Sequence, residues 1–350
     1  MTETLKKFKR YLTEKKLGGA VITDILTINY LTSFTFVSEG DAFLVVTPKK
    51  ATCYTKEMYL IDIENKCPFL NFVNSLDIND LVKSLGKQAK NFVFDPCAST
   101  YLNGTALYKA GVKEAAKITS VIREVKTKDE IKLIKKACEI SSKSFEIFKK
   151  QLKAGITEIE AAKLLESIMA KFGGQGLAFD TIMAFGKNTA NPHHANSNLK
   201  LKQEMPVLVD FGCRYKGYCS DITRTFWFGK KPTQEFKHYF EAVFEAYTVA
   251  SKALKAGKSA KEMDTLARNY FEDNFDASKY FIHSLGHNLG LEIHERPILS
   301  QKSIDTVKEN AITTIEPGLY FKNKFGIRYE DTFLITKTGS INLTAVKIKK

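Results

Sequence analysis

Val207-Leu208-Val209-Asp210-Phe211-Gly212 and Thr313-Thr314-Ile315-Glu316-Pro317-Gly318 are the two stretches that decide the fold of this 350-residue chain. Each is a short run of β-branched and apolar residues closing on carboxylate-x-Gly, the composition of a buried strand. After a short excursion each returns with carboxylate-x-Thr, as Asp221-Ile222-Thr223 and Glu330-Asp331-Thr332. The pattern predicts two β-hairpins, each with one carboxylate on either strand, related by an internal duplication.

The segments upstream repeat as well. Leu152-Lys153-Ala154-Gly155 recurs as Leu254-Lys255-Ala256-Gly257. In each copy a helix is expected to end at the glycine and another to open two residues later at a capping box, Thr157-x-x-Glu160 or Ser259-x-x-Glu262. A third box, Thr127-x-x-Glu130, opens a long helix whose Ile131, Ile134, Cys138, Phe145 and Phe148 fall on one face of a 3.6-residue period. A domain boundary is therefore placed near residue 125. Before it the chain reads as short α/β: a basic amphipathic helix at Glu3–Lys16 and strands at Ala20–Ile22, Ala42–Val46, Ala51–Tyr54 and Asn91–Phe94.

Composition narrows the classes of function. With 44% hydrophobic and 26% charged residues the chain is a core-forming globular protein. No apolar run reaches the roughly 18 residues a membrane span needs, and the N-terminus has no signal-peptide core, so a cytoplasmic location without membrane attachment is expected. The six cysteines lack CxxC spacing and read as reduced thiols. The net charge of +14 is spread over scattered lysines without a nucleic-acid-binding motif, so no nucleic-acid partner is expected.

The chemistry lies in the carboxylates. Asp210, Asp221, Glu316 and Glu330 sit at the edge of apolar strands, where unpaired ionised acids are costly. Two divalent cations would balance their four charges, and oxygen-rich ligation suits Mn, Co, Fe or Zn. The stretch His283-Ser284-Leu285-Gly286-His287-Asn288-Leu289-Gly290-Leu291-Glu292-Ile293-His294 offers an imidazole ligand. Its glycines argue for extended or looped backbone and against the helix that HExxH zinc enzymes use. His194 and His238 read as ordinary structural histidines.

The blocks Asp210–Thr225, His283–Pro297, Ile315–Tyr320 and Gly326–Thr332 resemble the signature of the pita-bread metallopeptidases, specifically their proline-directed branch of Xaa-Pro dipeptidases (prolidases) and Xaa-Pro aminopeptidases. The resemblance implies an α/β (α+β) chain: a creatinase-like N-terminal domain over 1–124, then a pita-bread catalytic domain over 125–350 with internal pseudo-two-fold duplication. It implies that Asp210 chelates one metal, that Asp221 and Glu330 bridge both, and that His287 and Glu316 complete the second site, with manganese the expected ion. It further implies that His193, His283 and His294 line the substrate cleft, that Arg328 follows the proline-directed pattern, and that the protein is a homodimer acting on short proline-containing peptides. Asn288 departs from the glycine or aromatic residue more usual after the ligand histidine.

On this reading, a water bridging two divalent ions has its pKa lowered from about 15.7 towards 7 and becomes the nucleophile. His294, with His193, stabilises the tetrahedral oxygen, and Glu316 is both ligand and proton shuttle to the leaving proline nitrogen. Methionine aminopeptidase activity is disfavoured by the N-terminal domain and by Arg328. A non-catalytic peptide- or nucleic-acid-binding platform is the alternative from another class, and retention of all five ligand types argues against it. Between dipeptidase and aminopeptidase the choice stays open, with Arg296 and Arg328 as candidate partners for a dipeptide's carboxylate.

Overall fold

A computed structural model describes residues 1–346, and its packing divides the chain into two compact units, Met1–Arg123 and Glu124–Lys350. The first unit is built on a six-stranded mixed sheet in the order Asn71–Asn74, Ala51–Thr55, Ala42–Val46, Gly19–Ile22, Phe92–Phe94, Lys113–Glu114. Its opening helix, Glu3–Glu14, is capped by the Thr2 hydroxyl and buries Leu5, Phe8 and Leu12, one stripe of the helix. The two edge strands were not expected. Asn71–Asn74 is mostly exposed, and Lys113–Glu114 is a two-residue exposed pairing, so neither carries an apolar pattern.

The second unit repeats one plan twice. Helices Lys128–Gln151 and Glu158–Lys171 precede a three-stranded sheet ordered Ile222–Phe228, Met205–Phe211, Ile182–Phe185. Helices Gln234–Ala253 and Ala260–Phe275 precede a five-stranded sheet ordered Glu295–Leu299, Gly286–Asn288, Ile312–Ile315, Asp331–Ile335, Ser340–Asn342. Each half has its own core. Phe145, Phe148, Leu165, Val207 and Phe211 fill the first, and Val243, Met263, Phe271, Ile315 and Leu319 the second.

The reciprocal boxes at Thr127 and Thr157 are both formed, and Ser259 caps its helix by accepting from Glu262 N at 3.4 Å. A cap of this kind contributes about 1 kcal/mol. The paired helices stop earlier than expected, at Gln151 and Ala253, not at the glycines. Leu152 and Leu254 leave the helix in extended conformation, with φ/ψ of −65/127 and −73/115, and it is the following turn that uses Gly155 and Gly257 at φ +92 and +87. Each glycine then donates its N–H to a facing segment, Gly155 to Leu201 O and Gly257 to Val307 O. The echo thus marks equivalent turns in the two halves.

The carboxylates are not placed symmetrically on their strands. Asp210 lies within its strand opposite Thr223, whereas Asp221 immediately precedes Ile222. In the second half Ile315 pairs with Asp331, so Glu316 and Glu330 leave the ladder side by side. Three of the four acids therefore sit just beyond strand ends, where the backbone no longer commits the side chain to the sheet face.

Candidate metal centre and cleft

The two sheets meet at an antiparallel bridge between Thr223 and Glu330, with Glu330 N donating to Thr223 O at 3.1 Å. This bridge explains the carboxylate-x-Thr motif. Thr223 Oγ1 donates to Glu330 Oε2 at 2.6 Å, and Thr332 Oγ1 donates to Asp221 O at 2.7 Å, so each half's threonine fixes the other half's acid residue.

Behind the bridge lies a buried charge pair that sequence reasoning missed. Arg224 is fully buried and its Nη2 donates to Asp331 Oδ1 at 2.6 Å. Its Nη1 donates to Thr223 O at 3.0 Å and to Glu330 O, and its guanidinium lies over the Tyr329 ring at 4.4 Å. Asp331 also accepts from Tyr247 OH, Thr344 Oγ1 and Asn342 Nδ2. Every carboxylate lone pair is used, and Arg224 ties the backbone at Thr223 to the backbone at Glu330. The available signal was an arginine and an aspartate in otherwise apolar strands.

His287 is placed by Gly286–Asn288, a strand that passes unusually close to its neighbour. A Cβ on Gly286 would stand 2.1 Å from Thr314 O, so only glycine fits. His287 Nδ1 is 3.1 Å from Asn288 O, which assigns a proton to Nδ1 and leaves Nε2 facing the acids. Nε2 lies 3.3 Å from Glu316 Oε1 and 3.5 Å from Asp221 Oδ2. One potential ligand atom from each of Asp221, His287 and Glu330 lies within 4.8 Å of the others. Asp210 is turned towards Arg328, whose Nη2 donates to Asp210 Oδ2 at 2.5 Å, while Asp210 Oδ1 is buried without a hydrogen-bond partner among the described residues.

The electrostatics are those of acids crowded beyond their local counter-charge. Asp221 is held well above the usual carboxylate range by burial and then by Glu330, Asp210 and Glu316. Glu330 is raised by burial and by Glu316 and Asp210. Asp210 is raised by burial despite Arg328. For Glu316 burial is outweighed by the hydrogen bond and charge of His287, with His283 and Arg328, and its pKa falls to about 2. Divalent cations fit this set. Four crowded carboxylates, Asp221 and Glu330 buried and Asp210 and Glu316 nearly so, repel one another, Asp210 Oδ1 has no partner among the described residues, and His287 turns Nε2 towards them.

The cluster floors a cleft of about 840 Å³. His193, His283, His294 and Arg328 all line it. His294 is exposed, its ring edge-on to His287 at 4.4 Å between centroids, and burial followed by the neighbouring His287 lowers its pKa. His193 is exposed on the other lip, within the turn set by its N–H donating to Asn191 Oδ1. His283 differs, because both its ring nitrogens are engaged: Nδ1 with Ser284 O at 2.8 Å and Nε2 with Tyr320 OH at 3.0 Å. Burial drives its pKa down to about 4. Arg328 Nη1 donates to Tyr320 OH at 2.5 Å and Nε to Thr223 Oγ1 at 3.1 Å. His283, Tyr320 and Arg328 thus form one chain of hydrogen bonds beside the acids.

Two expectations need correction here. Arg296 does not line the cleft; it pairs with Asp305. Asn288 is fully buried with its amide 3.5 Å from Glu124 O, so its departure from the usual residue type does not alter the cleft contour.

His194, read as structural, is that and more. Its Nε2 lies 2.7 Å from Glu158 Oε2, and Glu158, fully buried, also accepts from Ser197 N and Oγ, Asn188 Nδ2 and Phe185 N. These hydrogen bonds outweigh burial and lower the Glu158 pKa. One carboxylate at a helix start therefore gathers the whole 185–197 segment that carries His193. Sequence reading credited Thr157 and Glu160 and passed over Glu158 between them.

Acids converging with an imidazole on the floor of an open cleft form a donor set that fits divalent ions. The chain belongs to metallopeptidase family M24: residues 132–337 match that family, and residues 4–126 match the creatinase/prolidase N-terminal domain. It is 35% identical to the Xaa-Pro dipeptidase of Pyrococcus furiosus, with 98% of each chain covered. Among solved structures it is similar to an Xaa-Pro dipeptidase from Bacillus anthracis, with a TM-score of 0.91 at 29% identity over 99% of this chain and 98% of that one. It is also similar to an X-Pro aminopeptidase from Thermotoga maritima, with a TM-score of 0.84 at 30% identity over 98% of both. Among the described residues no helix is long and apolar enough to cross a membrane.

Proposed function

We propose that the chain is a metal-dependent exopeptidase that hydrolyses the bond preceding proline in short peptides. Asp210, Asp221, His287, Glu316 and Glu330 would hold two divalent ions, with Asp221 and Glu330 shared between them. The observation that carries this reading is the convergence of all five side chains on one cleft floor, fixed there by threonines that cross between the halves. The near full-length similarity to Xaa-Pro dipeptidases supports the proline specificity. The oxygen-rich donor set favours manganese over softer-site metals. A homodimer is the expected assembly, to be checked by light scattering.

When bound, the ions supply a water ionised near neutral pH and positive charge against the scissile carbonyl. The chain's residues do the rest. An Xaa-Pro amide has no N–H to donate and a locked φ, so a site that holds substrate as a β-strand handles it badly; an open cleft walled by side chains does not require that donor. His294 has no hydrogen-bond partner among the described residues and is neutral at pH 7, so its N–H is available to an oxygen that gains charge in the transition state. His193, on the opposite lip, shares that role. Glu316 is ionised beside His287 and is the group to carry a proton to the departing proline nitrogen. His283, with both nitrogens committed, acts by positioning Tyr320 and Arg328.

The test is hydrolysis of Ala-Pro-containing peptides by the manganese-loaded chain beside matched Ala-Ala peptides, with and without chelator. Turnover confined to the proline substrates and abolished by chelation is expected. Equal turnover of Ala-Ala peptides, or activity indifferent to chelator, rejects the proposal.

A further inference from the structure

We infer that the cleft takes peptides that continue beyond proline in preference to the bare Xaa-Pro dipeptide, an inference that rests on the Xaa-Pro reading above. The two substrates differ at one point. In a dipeptide the proline leaving group carries a free carboxylate, and a site that selects it must offer a cation or a cluster of donors there, because a carboxylate stripped of water needs charged hydrogen-bond partners.

The two arginines that could serve are both committed elsewhere. Arg296 lies outside the cleft lining and pairs with Asp305. Arg328 lines the cleft but is 3% exposed, and all three of its guanidinium nitrogens are occupied, by Tyr320 OH, Asp210 Oδ2 and Thr223 Oγ1. Two of those partners are not metal-ligand candidates, so the fork stays held from behind whatever Asp210 binds. The chain has 53 lysines and arginines, yet among the described residues Arg328 is the one that reaches the lining.

Apart from Arg328, the metal-ligand candidates, the histidines and the neutral donors Thr181, Asn196 and Ser284, what the lining presents is apolar or acidic. Leu177, Phe179 and Ile293 are half-buried, Ile298 is 43% exposed, and the carboxylates present there are Asp180 and Glu166. Ile298 is the cross-strand partner of His287, which puts this apolar wall next to the metal-ligand candidates. A free carboxylate there would meet hydrocarbon and like charge. A continuing chain would place a neutral amide at the same point and lay its next side chain on the apolar wall.

The experiment compares kcat/KM of the manganese-loaded full chain for Ala-Pro, Ala-Pro amide and Ala-Pro-Ala. Removing the carboxylate charge is expected to leave the rate unchanged or higher, and Ala-Pro-Ala is expected to exceed Ala-Pro by roughly tenfold or more, the size of effect one well-used or misused contact has on discrimination. Calorimetric titration of products gives an independent readout, with Pro-Ala binding more tightly than proline. The inference is overturned if Ala-Pro is the best substrate and its amide falls tenfold or more, which would reveal a carboxylate-binding cation. Failure of the protein to cleave any of the three while holding its metal would instead reject the Xaa-Pro reading, and this inference with it.

Discussion

Replacing Asp331 by asparagine isolates the contact that stitches the two halves of the catalytic unit together. Asp331 is 1% exposed, and its two oxygens accept from four donors: Arg224 Nη2 and Thr344 Oγ1 at Oδ1, Tyr247 OH and Asn342 Nδ2 at Oδ2. An asparagine can satisfy one pair with its oxygen but must point its NH₂ at the other, and it leaves the buried Arg224 guanidinium without a counter-charge. Breaking a buried ion pair from one side costs about 3–5 kcal/mol. For a unit the size of Glu124–Lys350, each kcal/mol lowers Tm by about 2–4 °C, so a fall of roughly 6–20 °C is expected. Because Asp331 adjoins Glu330 and Arg224 adjoins Thr223, metal affinity should fall as well. Differential scanning calorimetry with and without manganese measures both. A shift under about 2 °C would mean that the pair contributes no net stability and that the halves are held by their cores and the Thr223–Glu330 bridge instead.

Other outcomes follow from the same geometry. His294→Ala should keep its metal and lose about 10²–10³ in kcat, the cost of removing one donor to a developing oxyanion; loss of metal on dialysis would show that the ring serves the centre itself. Glu158→Gln should lower kcat by releasing the His193 segment, and the double variant with His193→Ala should be little worse than His193→Ala alone; additive losses would separate Glu158 from His193. In metal-free protein the raised pKa values of Asp221 and Glu330 mean that the folded state binds protons more tightly than the unfolded state. Their contribution is full below the unfolded values near about 4 and is lost as pH rises through the folded ones. Glu316, depressed to about 2, acts in the opposite direction, but its contribution is already complete by about pH 5. Thermal melts of the metal-free protein should therefore fall as pH rises above the unfolded carboxylate values of about 4, and flatten with manganese; a pH-independent metal-free melt would contradict the crowding of these acids.

The features legible in the sequence were those written in local chemistry. The Thr127 and Thr157 boxes, the opening helix with Leu5, Phe8 and Leu12, and the apolar central strands all declare themselves within a few residues. The duplicated carboxylate-x-Thr was visible as a pattern, but its reason was not. Thr223 and Thr332 reach residues about a hundred positions away, and no local rule connects them. The same holds for Arg224 with Asp331 and for Glu158 with the His193 segment, whose partners become neighbours only when the sheets meet. Arg296 misled because exposure and an acid such as Asp305 nearby are properties of the fold. His283 was expected to line the cleft, and its contacts with Ser284 O and Tyr320 OH, which no local sequence rule predicts, commit both its ring nitrogens.

The claim on which everything else depends is that Asp210, Asp221, His287, Glu316 and Glu330 together hold two divalent ions. Elemental analysis of the manganese-loaded, dialysed chain beside Asp221→Asn tests it most directly. The expected result is about two ions per wild-type chain, with the variant losing most of both, since Asp221 is proposed to serve the two sites together. A variant that keeps both ions, or a wild-type chain that hydrolyses Ala-Pro-Ala with no metal bound, would contradict the account.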